Sequence, residues 1–111
     1  MDERTLKQLE RVAELGIGLA PVAGITTHFV FERAGYLVLV ERRGNGFGKA
    51  GSPGKLVEGH GFAALVRRGG ADWWVARGAE WVAPPEEAEA ARRLFTDLKA
   101  ILESESAPET S

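Results

Sequence analysis

The chain has 111 residues, of which 44% are hydrophobic and 27% charged, and it contains no cysteine. This length and composition are typical of one globular domain and exclude two independent cores, a disordered chain or a fibrous repeat. The formal net charge of -2 gives no overall attraction to nucleic acid, and the missing cysteines exclude disulfides, thiolate zinc sites and cysteine nucleophiles.

The first predicted element is an amphipathic helix near the N-terminus. Its apolar residues recur with helical spacing: Leu6, Leu9, Val12 and Ala13. Asp2 or Thr5 is a candidate N-cap, and Gly16 is a candidate stop. Residues 17–24 mix glycine, proline and small apolar residues, which predicts a buried connector.

A β-hairpin follows the connector. Residues 25–32 are rich in β-branched and aromatic residues, and strand alternation places Thr27, Phe29 and Phe31 on one face and His28, Val30 and Glu32 on the other. Residues 33–35 predict a tight turn into the continuous apolar run 36–40, which is typical of a central strand covered on both faces.

Between residues 43 and 61 the composition changes, because seven of the 14 glycines lie there. We predict an irregular loop for this segment. Residues 61–68, 73–77 and 80–83 then predict a second group of antiparallel strands.

The last predicted element is a helix that opens at Pro84 and Pro85. Its apolar stripe keeps helical spacing through Ala88, Ala91, Leu94, Phe95, Leu98, Ile101 and Leu102. We predict a single α+β domain over residues 1–103 and a disordered tail over 104–111. Its two layers would be a mostly antiparallel sheet of four to five short strands, covered by the N-terminal and C-terminal helices.

The glycine-rich segment contains two partial phosphate-binding patterns. Gly46 to Gly51 fits G-x-G-x-x-G, but a serine, a proline and a glycine follow where a dinucleotide site needs a helix. Neither Gly48-Lys49 nor Gly54-Lys55 is followed by the hydroxyl residue of a P-loop.

Residues 37–43 (LVLVERR) and 52–60 (SPGKLVEGH) together resemble the entrance to a Nudix hydrolase. In that family, a Pro-Gly-Gly-x-Val-Glu-x-Gly-Glu stretch leads into a helix whose glutamates hold catalytic magnesium. His60 stands here at the position of the first motif glutamate, and only Arg68 matches the family's Arg-Glu-x-x-Glu-Glu stretch, which falls on residues 68–73. The resemblance implies a diphosphate hydrolase, but the missing carboxylates lead us to expect no enzyme activity and no cofactor.

Basic residues around the glycine-rich segment form a candidate anion site: Arg42, Arg43, Lys49, Lys55, Arg67 and Arg68. Flexible backbone and these cations would suit a phosphorylated small molecule or a nucleic-acid backbone, with Phe47 available to stack. The alternative interpretation is a solvated loop whose charges only aid solubility.

Aromatic residues are the candidate interface. Trp73 and Trp74 are adjacent on a strand, so their side chains point to opposite faces and one of them can be exposed. With Phe47 and Trp81 they form an apolar set suited to a partner. We therefore predict a non-enzymatic interaction module, a homodimer that pairs through a sheet edge or these aromatics. The alternative function is anion binding through residues 43–61.

Three further expectations concern metals, location and source. His28 and His60 have no evident carboxylate partner, so we expect no metal site. No signal-peptide pattern opens the chain, and the longest nearly apolar run, residues 15–25, is too short to span a bilayer. We expect a cytoplasmic protein. The scarcity of Asn, Gln and Met fits a thermophile, and a GC-rich genome explains the Ala, Gly and Arg bias equally well.

Overall fold

A computed structural model describes residues 3–20, 22, 25–44 and 46–106 of the chain. They form two helices and one seven-stranded antiparallel sheet, in which the strand order follows the order of the chain. The strands are β1 (Gly18–Leu19), β2 (His28–Arg33), β3 (Tyr36–Arg43), β4 (Gly46–Val57), β5 (Gly61–Arg68), β6 (Ala71–Ala76) and β7 (Ala79–Val82). The predicted α+β class and antiparallel sheet are confirmed, and the predicted number of four to five strands is wrong.

Helix α1 (Glu3–Glu14) buries only Val12 of the predicted apolar stripe and buries two polar residues besides. Thr5, Gln8 and Val12 are buried, whereas Leu6 is 51% exposed. The Nε2 of Gln8 donates a hydrogen bond to the backbone oxygen of Leu102 at 3.2 Å, which satisfies a buried amide and a carbonyl near the end of the second helix. Gln8 can therefore occupy a core position because its side-chain amide has a hydrogen-bond acceptor there.

Two of the additional strands lie where we predicted irregular structure. Strand β1 occupies part of the predicted connector, and residues 21, 23 and 24 of that connector lie outside the described residues. The larger difference is β4, a strand of 12 residues within the segment predicted as a loop. It pairs with β3 on one side and β5 on the other, with register shifts opposite Val38, Val40 and Arg42.

Glycines let β4 lie closely between its neighbours. A Cβ added at Gly54 would collide with the ring of Phe62 and the backbone oxygen of Ala63 on β5. A Cβ at Gly48 would come within 2.9 Å of the Glu41 carboxylate on β3. The ladder bonds to both neighbours hold a segment whose own composition disfavours a strand.

Helix α2 (Pro85–Ser106) packs on β3 and β4, and α1 packs on α2. Two buried clusters result. The larger joins α1 and α2 to the first strands through Val12, Ile17, Phe31, Val38, Val40, Leu94, Leu98, Ile101 and Leu102. The smaller contains Ala63, Leu65, Trp74, Ala83, Ala88 and Ala91. The alanines of α2 leave room for Trp74, the largest fully buried side chain.

The predicted tail, residues 104–111, overlaps the end of α2, because the helical backbone continues to Ser106. Residues 107–111 lie outside the described part of the chain. Neither of the two described helices is long and apolar enough to cross a membrane.

Candidate functional site

The two faces of the sheet differ in what covers them. Side chains of the core face, such as Val38, Leu65 and Trp74, belong to the two buried clusters. The alternate side chains form the outer face, which we define by Leu37, Leu39, Leu56, Phe62, Ala64, Val66, Trp73, Val75 and Val82. Among the described residues, neither core cluster includes a side chain of this outer face. Leu37 is buried at 4% exposed, and the rest of the outer face, from Leu39 to Val82, is an apolar sheet surface that is half-buried or exposed.

Strand register makes the outer face continuous from β3 to β7. Leu37 is paired with Gly54, Gly54 with Ala64, and Ala64 with Val75. A second row runs from Val66 through Trp73 to Val82. Because paired residues of an antiparallel sheet lie on the same face, these rows form one surface.

Exposure is greatest toward two corners of the outer face. Leu56 is 51% exposed and Val82 is 55% exposed, and Trp73 next to Val82 is half-buried. Arg68 lies over the Trp73 ring, with its Cζ 5.8 Å from the centroid, and its Nη1 lies 2.7 Å from the Glu80 carboxylate. A charged pair therefore borders the apolar surface, as in the polar rim of many interfaces.

A depression of about 370 Å³ crosses the outer face above β4. Its lining includes Leu39, Gly51, Phe62 and Ala64, with His28, Glu41 and Lys49 at the border. The glycines of β4 carry no side chains, so the surface is lower there than over β3 and β5. The outer face is therefore apolar and contains a depression instead of being flat.

The three tryptophans occupy three different environments. Trp74 is fully buried and stacks on Tyr36, with ring centroids 6.1 Å apart, and Trp81 is half-buried against the smaller core cluster. Trp73 lies on the outer face. Phe47 packs edge to face against Phe29 and Phe31, at centroid distances of 5.0 and 5.5 Å. Of the four aromatics predicted for an interface, Trp73 alone lies on the outer face.

A polar network joins the start of α2 to the core face. The Glu87 carboxylate accepts hydrogen bonds from Trp74 Nε1 at 2.8 Å and from Lys55 Nζ at 3.0 Å. The hydrogen bond from Lys55, and then that from Trp74, lowers the pKa of Glu87. Burial raises the pKa of Tyr36, and the nearby carboxylates of Glu87 and Glu86 raise it further. These contacts hold α2 on the sheet.

A second network lies on the same side of the sheet. Asp72 on β6 accepts two hydrogen bonds from the guanidinium of Arg92, one of them at 3.1 Å, and it lies 3.7 Å from Arg67 Nη1. The hydrogen bond from Arg92 is the main reason that the pKa of Asp72 is lowered, and the same bond raises the pKa of Arg92. Arg92 lies on the predicted helix, but its pairing with Asp72 on β6 depends on tertiary packing. The sequence therefore contains no pattern from which this pair could be predicted.

The six predicted anion-binding residues are distributed over both faces of three strands. Arg43 pairs with Glu41, Lys55 with Glu87, Arg67 with Asp72, and Arg68 with Glu80. Arg42 lies over the Phe29 ring at 4.1 Å from its centroid, and Lys49 borders the depression of the outer face. The structure does not bring all six to one site.

The segment that resembles a Nudix hydrolase has a different local structure from that motif. Residues 58–60 form a turn, and residues 61–68 form β5, where the family has its glutamate-rich helix. Within residues 3–20, 22, 25–44 and 46–106, no group of three His, Cys, Asp or Glu side chains is placed to hold a metal ion.

Comparisons of the chain with protein-family models, with curated proteins and with solved structures find no match.

Proposed function

We propose that this domain is a protein-interaction module that pairs with a second copy of itself through the outer face of the sheet. The observation that carries the proposal is the apolar surface from Leu39 to Val82, which lies outside both core clusters. Contiguous apolar surface of this kind is characteristic of interaction sites.

The outer face is a better candidate for the dimer interface than the edges of the sheet are. The edge strands β1 and β7 contain two and four residues, and the exposed Glu80 on β7 pairs with Arg68. Short edge strands with charged side chains resist pairing with another strand. Two outer faces could instead pack as two layers about 10 Å apart, the usual spacing of stacked sheets.

The size of the face sets the expected affinity. Five strands about 4.8 Å apart, with about two outward side chains each at intervals of about 7 Å, give roughly 300 to 350 Å² per copy. Two copies would bury somewhat more than twice this area, which is below the roughly 1,200 Å² at which standard specific interfaces begin and within the range of weak, transient ones. We therefore expect a weak dimer with a dissociation constant in roughly the micromolar range.

Val82→Lys tests this proposal by placing a charge on the outer face. Val82 is 55% exposed, so lysine can be accommodated in the monomer. In a twofold dimer the change occurs twice, and losing about 1 kcal/mol of apolar burial per copy weakens association by about 30-fold. Sedimentation equilibrium from about 1 μM to about 1 mM covers the expected range.

Leu6→Lys is the matched control, since Leu6 is 51% exposed but lies on α1. The proposal requires the same dissociation constant in the wild type and in Leu6→Lys, and one about 30-fold higher in Val82→Lys. A wild type that stays monomeric throughout, or equal weakening by both variants, would contradict it.

A further inference from the structure

We propose that a cleft between α2 and strands β4 and β5 binds a small organic anion, one that carries a carboxylate or phosphate group beside an apolar group. The cleft lies against the core face of the sheet, and of its lining residues Ser52 alone also lines the depression of the outer face. It has a volume of about 440 Å³, within the range of small-molecule sites. Its lining is Ser52, Pro53, Leu65, Arg67, Arg92, Phe95 and Thr96.

The charged side chains that line the cleft are two arginines, which share one carboxylate. Arg92 takes both oxygens of Asp72, and Arg67 lies 3.7 Å from that carboxylate, beyond hydrogen-bonding distance. The guanidinium of Arg67 therefore keeps donors for another acceptor. Its side chain is 64% exposed, so a ligand can reach it.

Neighbouring carboxylates of α2 have other cationic partners. Glu89 pairs with Arg93 at 3.5 Å, and Asp97 pairs with Arg33 at 3.0 Å. Two guanidinium groups against Asp72 leave a local surplus of one positive charge. An anion bound between them would balance it.

The shape of the cleft indicates which anion fits. Pro53 and Leu65 are buried and Phe95 is half-buried, so these three residues offer an apolar surface. Ser52 and Thr96 add hydroxyl groups beside the two arginines. Guanidinium and hydroxyl donors suit carboxylate and phosphate oxygens, and the apolar surface favours an organic group attached to them over a bare inorganic ion.

An NMR titration of the ¹⁵N-labelled wild-type protein tests the cleft with four probes: benzoate, phenyl phosphate, neutral benzamide and inorganic phosphate. Saturable shifts at residues 52, 67, 92 and 96 are expected with benzoate or phenyl phosphate. The tighter of these two identifies the preferred anionic group. Benzamide binding as tightly as benzoate would overturn the requirement for charge. Inorganic phosphate binding as tightly as phenyl phosphate would overturn the role of the apolar surface.

Arg67→Gln is the test variant, and Arg77→Gln is its control, because Arg77 is an exposed turn residue outside the cleft lining. Removing one charge-assisted hydrogen bond should weaken anion binding roughly tenfold in Arg67→Gln and leave Arg77→Gln like the wild type. Equal affinity of the two variants, or no saturable shift with either organic anion, would overturn the proposal. Since dimerisation involves the other face of the sheet, either proposal can fail without the other.

Discussion

Replacing Glu87 by alanine removes one carboxylate that serves two donors. The indole N–H of the fully buried Trp74 loses its acceptor, which costs about 1 to 3 kcal/mol. The half-buried ion pair with Lys55 adds at most about 1 kcal/mol. We expect a total near 2 kcal/mol and a fall in Tm of roughly 8 to 15 °C, measured by thermal and urea unfolding.

Glu86→Ala is the matched control for Glu87→Ala. Glu86 precedes Glu87 in the first turn of α2 and is exposed, so its loss removes the same charge from the helix N-terminus. That charge contributes about 0.3 to 1 kcal/mol. If Glu86→Ala and Glu87→Ala unfold at the same temperature, the argument that Glu87 holds α2 to the sheet through Trp74 is refuted.

The Glu87 network also predicts a dependence of stability on pH. Hydrogen bonds from Lys55 and Trp74 lower the pKa of Glu87 in the folded chain below its value in the unfolded chain. The ionised carboxylate therefore stabilises the fold above the unfolded pKa of about 4.3, and this contribution is lost as pH falls through the lower folded pKa. Wild type should exceed Glu87→Gln in stability at pH 7, and the difference should shrink below about pH 4. A constant difference down to pH 2 would refute this linkage.

Three further substitutions, one of them with a control, test separate parts of the fold by urea unfolding. Ala34 has φ of 57° in the β2–β3 turn, so Ala34→Asn should stabilise by roughly 0.5 to 1 kcal/mol, and no gain would contradict the turn assignment. Gly54→Ala should destabilise by about 2 kcal/mol or more, because its Cβ would meet the Phe62 ring. Gly51→Ala, whose nearest contact would be an ordinary 3.5 Å, should cost much less. Asp72→Asn should lose stability relative to wild type at pH 7, and the difference should disappear as acid protonates Asp72, whose folded pKa is lowered.

Periodicity in the sequence was enough to predict the helices and most of the strands. Phe29 and Phe31 lie two residues apart in a run of β-branched and aromatic residues typical of a strand, and the stripe of α2 keeps helical spacing because one face of the helix is buried. Strand β4 could not be predicted in this way. Glycines at 48, 51 and 54 interrupt any alternation, and this strand is defined by the neighbours with which it pairs. Gln8 was missed because its burial depends on a carbonyl 94 residues away.

The candidate surface could be predicted only in part. Adjacent tryptophans on a strand must point to opposite faces, but the sequence does not say which of Trp73 and Trp74 meets the helix. The glycine-rich segment appeared as a mobile cationic loop, whereas the structure fixes it as a central strand with its lysines on different surfaces. The cleft arginines Arg67 and Arg92 are 25 residues apart in the sequence and meet only through packing of α2.

The most direct test of the proposed self-association is an isotope-filtered NOE measurement on a mixture of labelled and unlabelled protein. Pairing through the outer face predicts intermolecular contacts among the Trp73 indole and the methyl groups of Val66, Val75 and Val82. Intermolecular contacts confined to the backbone of β7 would contradict this account and assign the interface to the sheet edge. A complete absence of such contacts, at concentrations well above the expected dissociation constant, would show that the outer face does not bind a second copy.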